Sequence, residues 1–275
     1  MQFAPAARAL NRTHIIMAKP VLNWVKEGQG PTVVLSHGLG CTLGMWDEVV
    51  ELLKSDFTLL RYDHRGHGQS EVPAGPYTID MLADDAAGLI AAQTSGAVHF
   101  VGLSMGGMTA QALAKNHRQC VKSIVIANSA SWYDDAAQAL WQTRIATVRA
   151  KGVAAIAEGA LPRWFTAAFL ADAAGAARIK RTRVALERTD PAAYVACCEA
   201  IAGMDLRASN ARIACPALVI AGARDDATPP ALSEKMVATI SGAQLRSIDA
   251  AHLSAVEQPE SFAALVREFL KEQGA

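Results

Sequence analysis

No charge of one sign prevails in this sequence of 275 residues, where 26 lysines and arginines balance 26 aspartates and glutamates. A chain without a basic surplus has no broad attraction for polyanions, so nucleic acid is not an expected partner. Long apolar runs are missing too. The longest are too short and too interrupted to cross a bilayer, and the first residues lack a signal peptide's continuous apolar stretch and small-residue cleavage site. No membrane partner is expected, and the default compartment is the cytoplasm. The five cysteines, at 41, 120, 197, 198 and 215, have no C-x-x-C spacing, and an odd number cannot all pair within one chain. Reduced thiols are expected, with Cys41 a small packed residue just beyond a Gly-rich loop. Internal repeats and low-complexity linkers are also lacking.

What the chain does have is apolar mass: 51% of its residues are hydrophobic, enough to bury a substantial core in one large domain or in a core with an inserted subdomain. It is organised around VHFVGLSMGG at 98–107. Val98, Phe100 and Val101 suit a short buried strand, and an Ala-rich apolar stretch begins at Met105, so Ser104 lies at a strand–turn–helix junction. A serine raised above a sheet by so sharp a turn needs small neighbours, which Gly102 and Gly106 supply. This is the content of Gly-x-Ser-x-Gly, the nucleophile elbow.

Residues 1–16 read as a loose extension or an edge strand. From 17 to 128 strands alternate with helices: strands at 21–26, 32–37, 57–62, 98–101 and 121–127, and helices at 46–53, 79–93 and 105–117, with Thr78 as an N-cap. That alternation predicts a parallel sheet covered on both faces. Between 129 and 214 the pattern turns to Ala-rich helices with no convincing strand, which predicts a helical cap over the sheet's C-terminal edge. The α/β pattern resumes over 215–275, with strands at 217–221 and 244–248, a helix at 232–240 and an amphipathic helix opened by Pro259.

A serine hydroxyl needs a base within hydrogen-bond reach, and the base needs an orienting carboxylate. His252, the one histidine in a C-terminal strand-end loop, is the expected base. Asp225, Asp226 and Asp249 compete for the acid, and Asp225 sits nearest a strand end. The oxyanion formed during attack is expected on two backbone amides, that of Met105 after the nucleophile and that of Leu39 in Ser36-His37-Gly38-Leu39-Gly40. Asp63, His64 and His67 could suggest a metal, but no partner cluster completes a ligand set, and a structural Asp–Arg loop is expected instead.

The set SHGLG, YDHRGHGQS, GLSMGG, GARDDATPP and AAHLS followed by EQPE resembles the α/β-hydrolase superfamily and covers nearly everything outside the insertion. In that family the chain order is nucleophile, acid, histidine, and Gly-x-x-Asp-x-x-x-Pro places the acid at Asp225. The segments GPYTI, LPRWFT, CCEAIAGMDLR and TPP are similar to 3-oxoadipate enol-lactonases, which act in bacterial breakdown of protocatechuate and catechol. The resemblance implies an α/β-hydrolase fold, no cofactor and no metal, and a small ester or lactone as substrate, most specifically 3-oxoadipate enol-lactone. It also implies that Arg163 pairs with the substrate carboxylate beside Trp164 as an apolar wall, and that the loop of His37 lines the acyl pocket. His37-Gly38 departs from the Asn-Ser that such lactonases tend to have and matches general esterases. A carboxylesterase, perhydrolase or other lactonase is therefore the alternative. Further from it stand a carbon–carbon bond hydrolase, a cofactor-free oxygenase and a non-catalytic ligand-binding relative, the last of which has no need of a full catalytic set.

Overall fold

The computed structural model describes residues 20–275, so the extension or edge strand expected at 1–16 lies outside it. Among the described residues, seven strands make one sheet: β1 (Trp24–Gly28), β2 (Thr32–Ser36), β3 (Thr58–Tyr62), β4 (Val98–Leu103), β5 (Val121–Ala127), β6 (Ala217–Gly222) and β7 (Gln244–Ile248). They lie in the order β1-β3-β2-β4-β5-β6-β7. β1 runs antiparallel to β3, and every other neighbouring pair is parallel. Strands sandwiched between helices have no wet face and read as continuous apolar runs rather than alternations. Val33, Val34 and Leu35 on β2 and the whole of β4 and β6 are buried. β1 at the edge alternates between exposed and half-buried positions.

Helices α1 (Asp47–Leu53), α2 (Ile79–Gln93) and α3 (Met105–Asn116) connect the first strands. The Thr78 side chain accepts a hydrogen bond of 3.1 Å from the Met81 amide, which starts α2 where the sequence predicts. A single 3-10 turn at Leu43–Trp46 precedes α1, one residue later than expected. β1 is shifted toward its C-terminus because Gly28 still pairs with Thr58.

Six helices and no strand lie between β5 and β6: α4 (Asp135–Lys151), α5 (Ala154–Trp164), α6 (Ala167–Ala171), α7 (Ala176–Arg188), α8 (Pro191–Ala202) and α9 (Arg207–Asn210). α4 packs on α5 and α8, and α5 on α7. The remaining helices are α10 (Pro230–Val237), which starts at its proline two residues before the expected position, α11 (Ser254–Glu257) and α12 (Pro259–Glu272). On α12, Phe262, Val266, Phe269 and Leu270 are buried, with the Phe262 ring 5.8 Å from that of Trp46. The spacing of these four and Leu265 predicts one apolar face, and Leu265 lies half-buried at its border.

Because six strands are parallel, their carboxyl ends share one edge of the sheet, where open α/β sheets bind ligands. The loops after β2, β4, β6 and β7 meet there.

Candidate active site

Ser104 caps α3 with φ +56° and ψ −115°, a conformation that L-residues rarely adopt. The surroundings hold it there. The Ser104 amide donates to the Ala127 carbonyl at 2.9 Å, and the Ser104 carbonyl accepts from the Ser129 hydroxyl at 2.8 Å. A Cβ at Gly102 would stand 2.0 Å from the Gly106 oxygen, and one at Gly106 would stand 2.0 Å from the Ser36 oxygen. Both glycines are thus required by close backbone approach. The turn places the serine at the positive end of α3, whose first amides have no partner within the helix.

Two loops bring the other expected residues to it. His252 Nε2 lies 3.0 Å from Ser104 Oγ, and His252 Nδ1 lies 2.9 Å from Asp225 Oδ2. The Asp225 carboxylate is 2% exposed and His252 is 5% exposed. Asp225 Oδ1 accepts from the amides of Ala227 and Thr228, each at 2.8 Å, and Oδ2 accepts from the Thr228 hydroxyl at 2.7 Å and Asn128 Nδ2 at 3.0 Å. Burial alone would push this carboxyl up. The charge and hydrogen bond of His252, with the bonds from Thr228 and Asn128, outweigh burial and lower it to about 2. Of the two competitors, Asp226 is exposed, and Asp249 forks onto Arg224 at 2.6 and 2.8 Å on the surface.

Above Ser104 lies a cavity of about 90 Å3 whose wall includes Leu39, Tyr133, Trp141, Arg144, Arg163 and Trp164. Arg163 and Trp164 are therefore where the sequence predicts. Arg163 Nη2 also donates to the Asp226 carbonyl at 3.0 Å. No carboxylate lines the cavity wall, and neither arginine forms an ion pair among the described residues. Arg144, stacked with its guanidinium carbon 5.0 Å from the Trp141 ring centre, was not singled out by sequence reasoning. The three-residue spacing of Trp141 and Arg144 on a helix was the available signal.

His37 is placed differently from its expected role. Its side chain is fully buried and does not line the cavity. Nδ1 donates to the Gly38 carbonyl at 2.8 Å, and Nε2 accepts from the His64 amide at 3.0 Å. The ring packs edge-on against those of His64 and His67. Burial lowers the pKa of all three imidazoles, that of His67 to about 3. The loop from Asp63 to Ser70 is held by structural bonds: Asp63 accepts the amides of Leu43 and Gln69 and the Asn23 side chain, while Arg65 forks onto buried Asp85 of α2, both bonds 2.6 Å. The arginine's partner is thus outside its own loop. Cys41 is a packed thiol pushed up to about 12 by burial.

Three supporting residues escaped sequence reasoning. Asn128, at φ +46°, donates to Asp225 and to the Ala251 carbonyl and accepts from the Ser254 hydroxyl. Thr228 bridges Asp225 and His252. Buried Glu257 accepts the Ala251 amide at 3.1 Å and the Thr166 amide at 3.2 Å, together with the Thr166 hydroxyl. Beside it, the Leu253 amide donates to the Trp164 carbonyl at 3.0 Å. Two stitches therefore join the end of α5 to the loop of His252.

A mostly parallel sheet with a serine elbow after one strand and an acid and a histidine after two later strands is the architecture of the α/β hydrolases, and the family profile of the alpha/beta hydrolase fold matches residues 31–259. The chain belongs to that family. Within it, the chain is similar to 3-oxoadipate enol-lactonase 2 of Acinetobacter baylyi, with 36% identity over 252 residues, or 91% of this chain and 93% of that protein. Its fold matches the crystal structure of the enol-lactonase from Burkholderia xenovorans LB400 with a TM-score of 0.87 and 37% identity, over 92% of this chain and 97% of that one. It also matches a thermophilic esterase from Thermogutta terrifontis, solved with malate bound, with a TM-score of 0.86 and 30% identity over 93% and 95% of the two chains.

Proposed function

We propose that the protein hydrolyses a small carboxylic ester or lactone through an acyl-enzyme on Ser104, and that its substrate is 3-oxoadipate enol-lactone. The chain from Ser104 Oγ through His252 to buried Asp225 carries the reading, since it supplies a nucleophile, a base and an orienting anion in hydrogen-bond contact. Ser104 attacks the lactone carbonyl as His252 Nε2 takes its proton. Asp225 keeps Nδ1 protonated and stabilises the imidazolium. Negative charge on the former carbonyl oxygen rests on the amides of Leu39 and Met105. The ring oxygen leaves as an enol, receives the proton from His252 and tautomerises to the ketone. Water, deprotonated by His252, then cleaves the acyl-enzyme to the acid and restores Ser104.

The substrate assignment is supported by similarity to enol-lactonases and by a cavity wall with two arginines and no carboxylate. Such a wall favours a substrate bearing its own carboxylate, taken by Arg163 with Trp164 as an apolar side. We also propose that residues 129–214 act as the cap that makes this choice. The similar esterase supports a second reading, a general carboxylesterase.

One set of assays separates these. Wild type should turn over the enol-lactone faster than p-nitrophenyl acetate, and Arg163→Ala should lower kcat/KM for the lactone about 30-fold while changing the neutral ester less than threefold. Equal losses on both substrates would remove the carboxylate role. Ser104→Ala should abolish both reactions and covalent labelling by a fluorophosphonate, and a wild type that resists labelling would refute the acyl-enzyme.

A further inference from the structure

The Leu39 amide sits in a segment with little stiffness of its own. Glycines flank it on both sides, and Gly40 has φ +71°. A side chain at Gly40 would be strained by that φ, and its Cβ, 2.6 Å from Leu186 Cδ1, would push the leucine aside. Such a peptide reorients easily unless something outside it holds it. Two buried imidazoles do so.

A trans peptide is planar, so the Gly38 carbonyl and the Leu39 N–H, which belong to the same unit, point in opposite directions. The Gly38 oxygen is held on one side by His37 Nδ1–H at 2.8 Å and by the Cys41 amide at 3.1 Å. The Leu39 N–H is thereby turned the other way, and it has no acceptor among the described residues, while Leu39 lines the cavity with Ser104. The next peptide is held as well, because the Gly40 N–H donates to His67 Nε2 at 3.0 Å. Both planes that meet at the Leu39 Cα are thus anchored to imidazoles.

Each imidazole is oriented in turn. His37 Nε2 accepts from the His64 amide at 3.0 Å, and His67 Nδ1–H donates to the Arg65 carbonyl at 3.2 Å. These partners require the neutral Nδ1–H tautomer in both rings. We infer that His37 and His67 are positioning residues which, without touching substrate, aim the Leu39 amide at the oxyanion. The motif histidines of Ser36–Gly40 and Asp63–Ser70 thereby acquire one shared task. This inference rests on the acyl-transfer reading.

The test compares His67→Leu, which keeps most of the volume and loses the acceptor, with His67→Gln, whose amide oxygen can accept from Gly40. A second pair is His37→Leu and His37→Asn, the latter able to donate from the Nδ1 position. Three quantities are read for each: kcat and KM on p-nitrophenyl acetate, the inhibition constant of a trifluoromethyl ketone, whose adduct places an oxyanion on the same amides, and the thermal midpoint. A misaimed donor should cost nearly as much as a missing one. Each leucine variant should lose about 50-fold in kcat with KM within threefold, and should weaken the trifluoromethyl ketone by a similar factor. The glutamine and asparagine variants should each recover at least tenfold of that loss. Should the leucine variants not fold, His67→Gln is compared with His67→Asn, which is too short to reach Gly40, on the same readouts. Leucine and amide variants with equal kcat, or a loss confined to KM, would overturn the inference while leaving Ser104 chemistry intact. Absence of Ser104-dependent turnover in the wild type would overturn the acyl-transfer reading and this inference with it.

Discussion

Both oxygens of Asp225 are fully engaged, with two amides on one and a hydroxyl, a carboxamide and an imidazole on the other. A residue so held has one orientation, and its charge cannot be replaced by shape alone. In Asp225→Asn the carboxamide turns its NH2 toward some of these donors, and the imidazole loses the anion that keeps Nδ1 protonated. The expected result on p-nitrophenyl acetate is a fall in kcat of about 10,000-fold with little change in KM. Asp226→Asn, at an exposed neighbouring position, should stay within about twofold. Choosing between adjacent aspartates was possible from sequence only through distance to the strand end and the family's spacing. The five bonds that decide it come from Asn128, 97 residues away, from the turn at Ala227 and Thr228, and from His252.

Among elements, the four-residue α11 does much for its size. Glu257 at its end gathers a backbone amide from the His252 loop and two donors from Thr166 between α5 and α6. Removing a buried acceptor leaves donors without partners, at about 1–3 kcal/mol each when water cannot replace it. Glu257→Ala should therefore lower unfolding stability by about 3 kcal/mol in a urea titration, and should also reduce kcat by loosening His252. The elements themselves were largely legible. Thr78 before α2, the runs of β5 and β7 and Pro259 at the first position of α12 are local signals, and the structure starts each element there. The stitches between elements were not legible, because Thr166 and Glu257 lie 91 residues apart and only the packed chain makes them neighbours. His37 shows the same limit. Its sequence position beside the Gly-rich loop suggested a wall of the pocket, and the fold turns the ring inward to hold the backbone instead.

For the molecule as a whole, the cost of three buried neutral imidazoles appears in acid. His37, His64 and His67 have folded pKa values below the usual 6.5, so below about that pH the unfolded chain takes up protons that the folded chain does not. Stability then rises with pH across this window, and each histidine contributes its share fully only above about pH 6.5. Urea midpoints should fall steadily from pH 7 to pH 5, the unfolding free energy dropping with a slope approaching about 1.4 kcal/mol per pH unit for each histidine. The decline should be shallower in His67→Gln, and an unchanged midpoint over that range would contradict neutral burial. Another consequence belongs to the stitch between Leu253 and Trp164. The residue after the base is tied to the final turn of the helix that roofs the pocket. Trp164 in the wall of the cavity and the imidazole that faces Ser104 therefore hang on one backbone hydrogen bond. The shelter over the serine and the aim of its imidazole share one fastening.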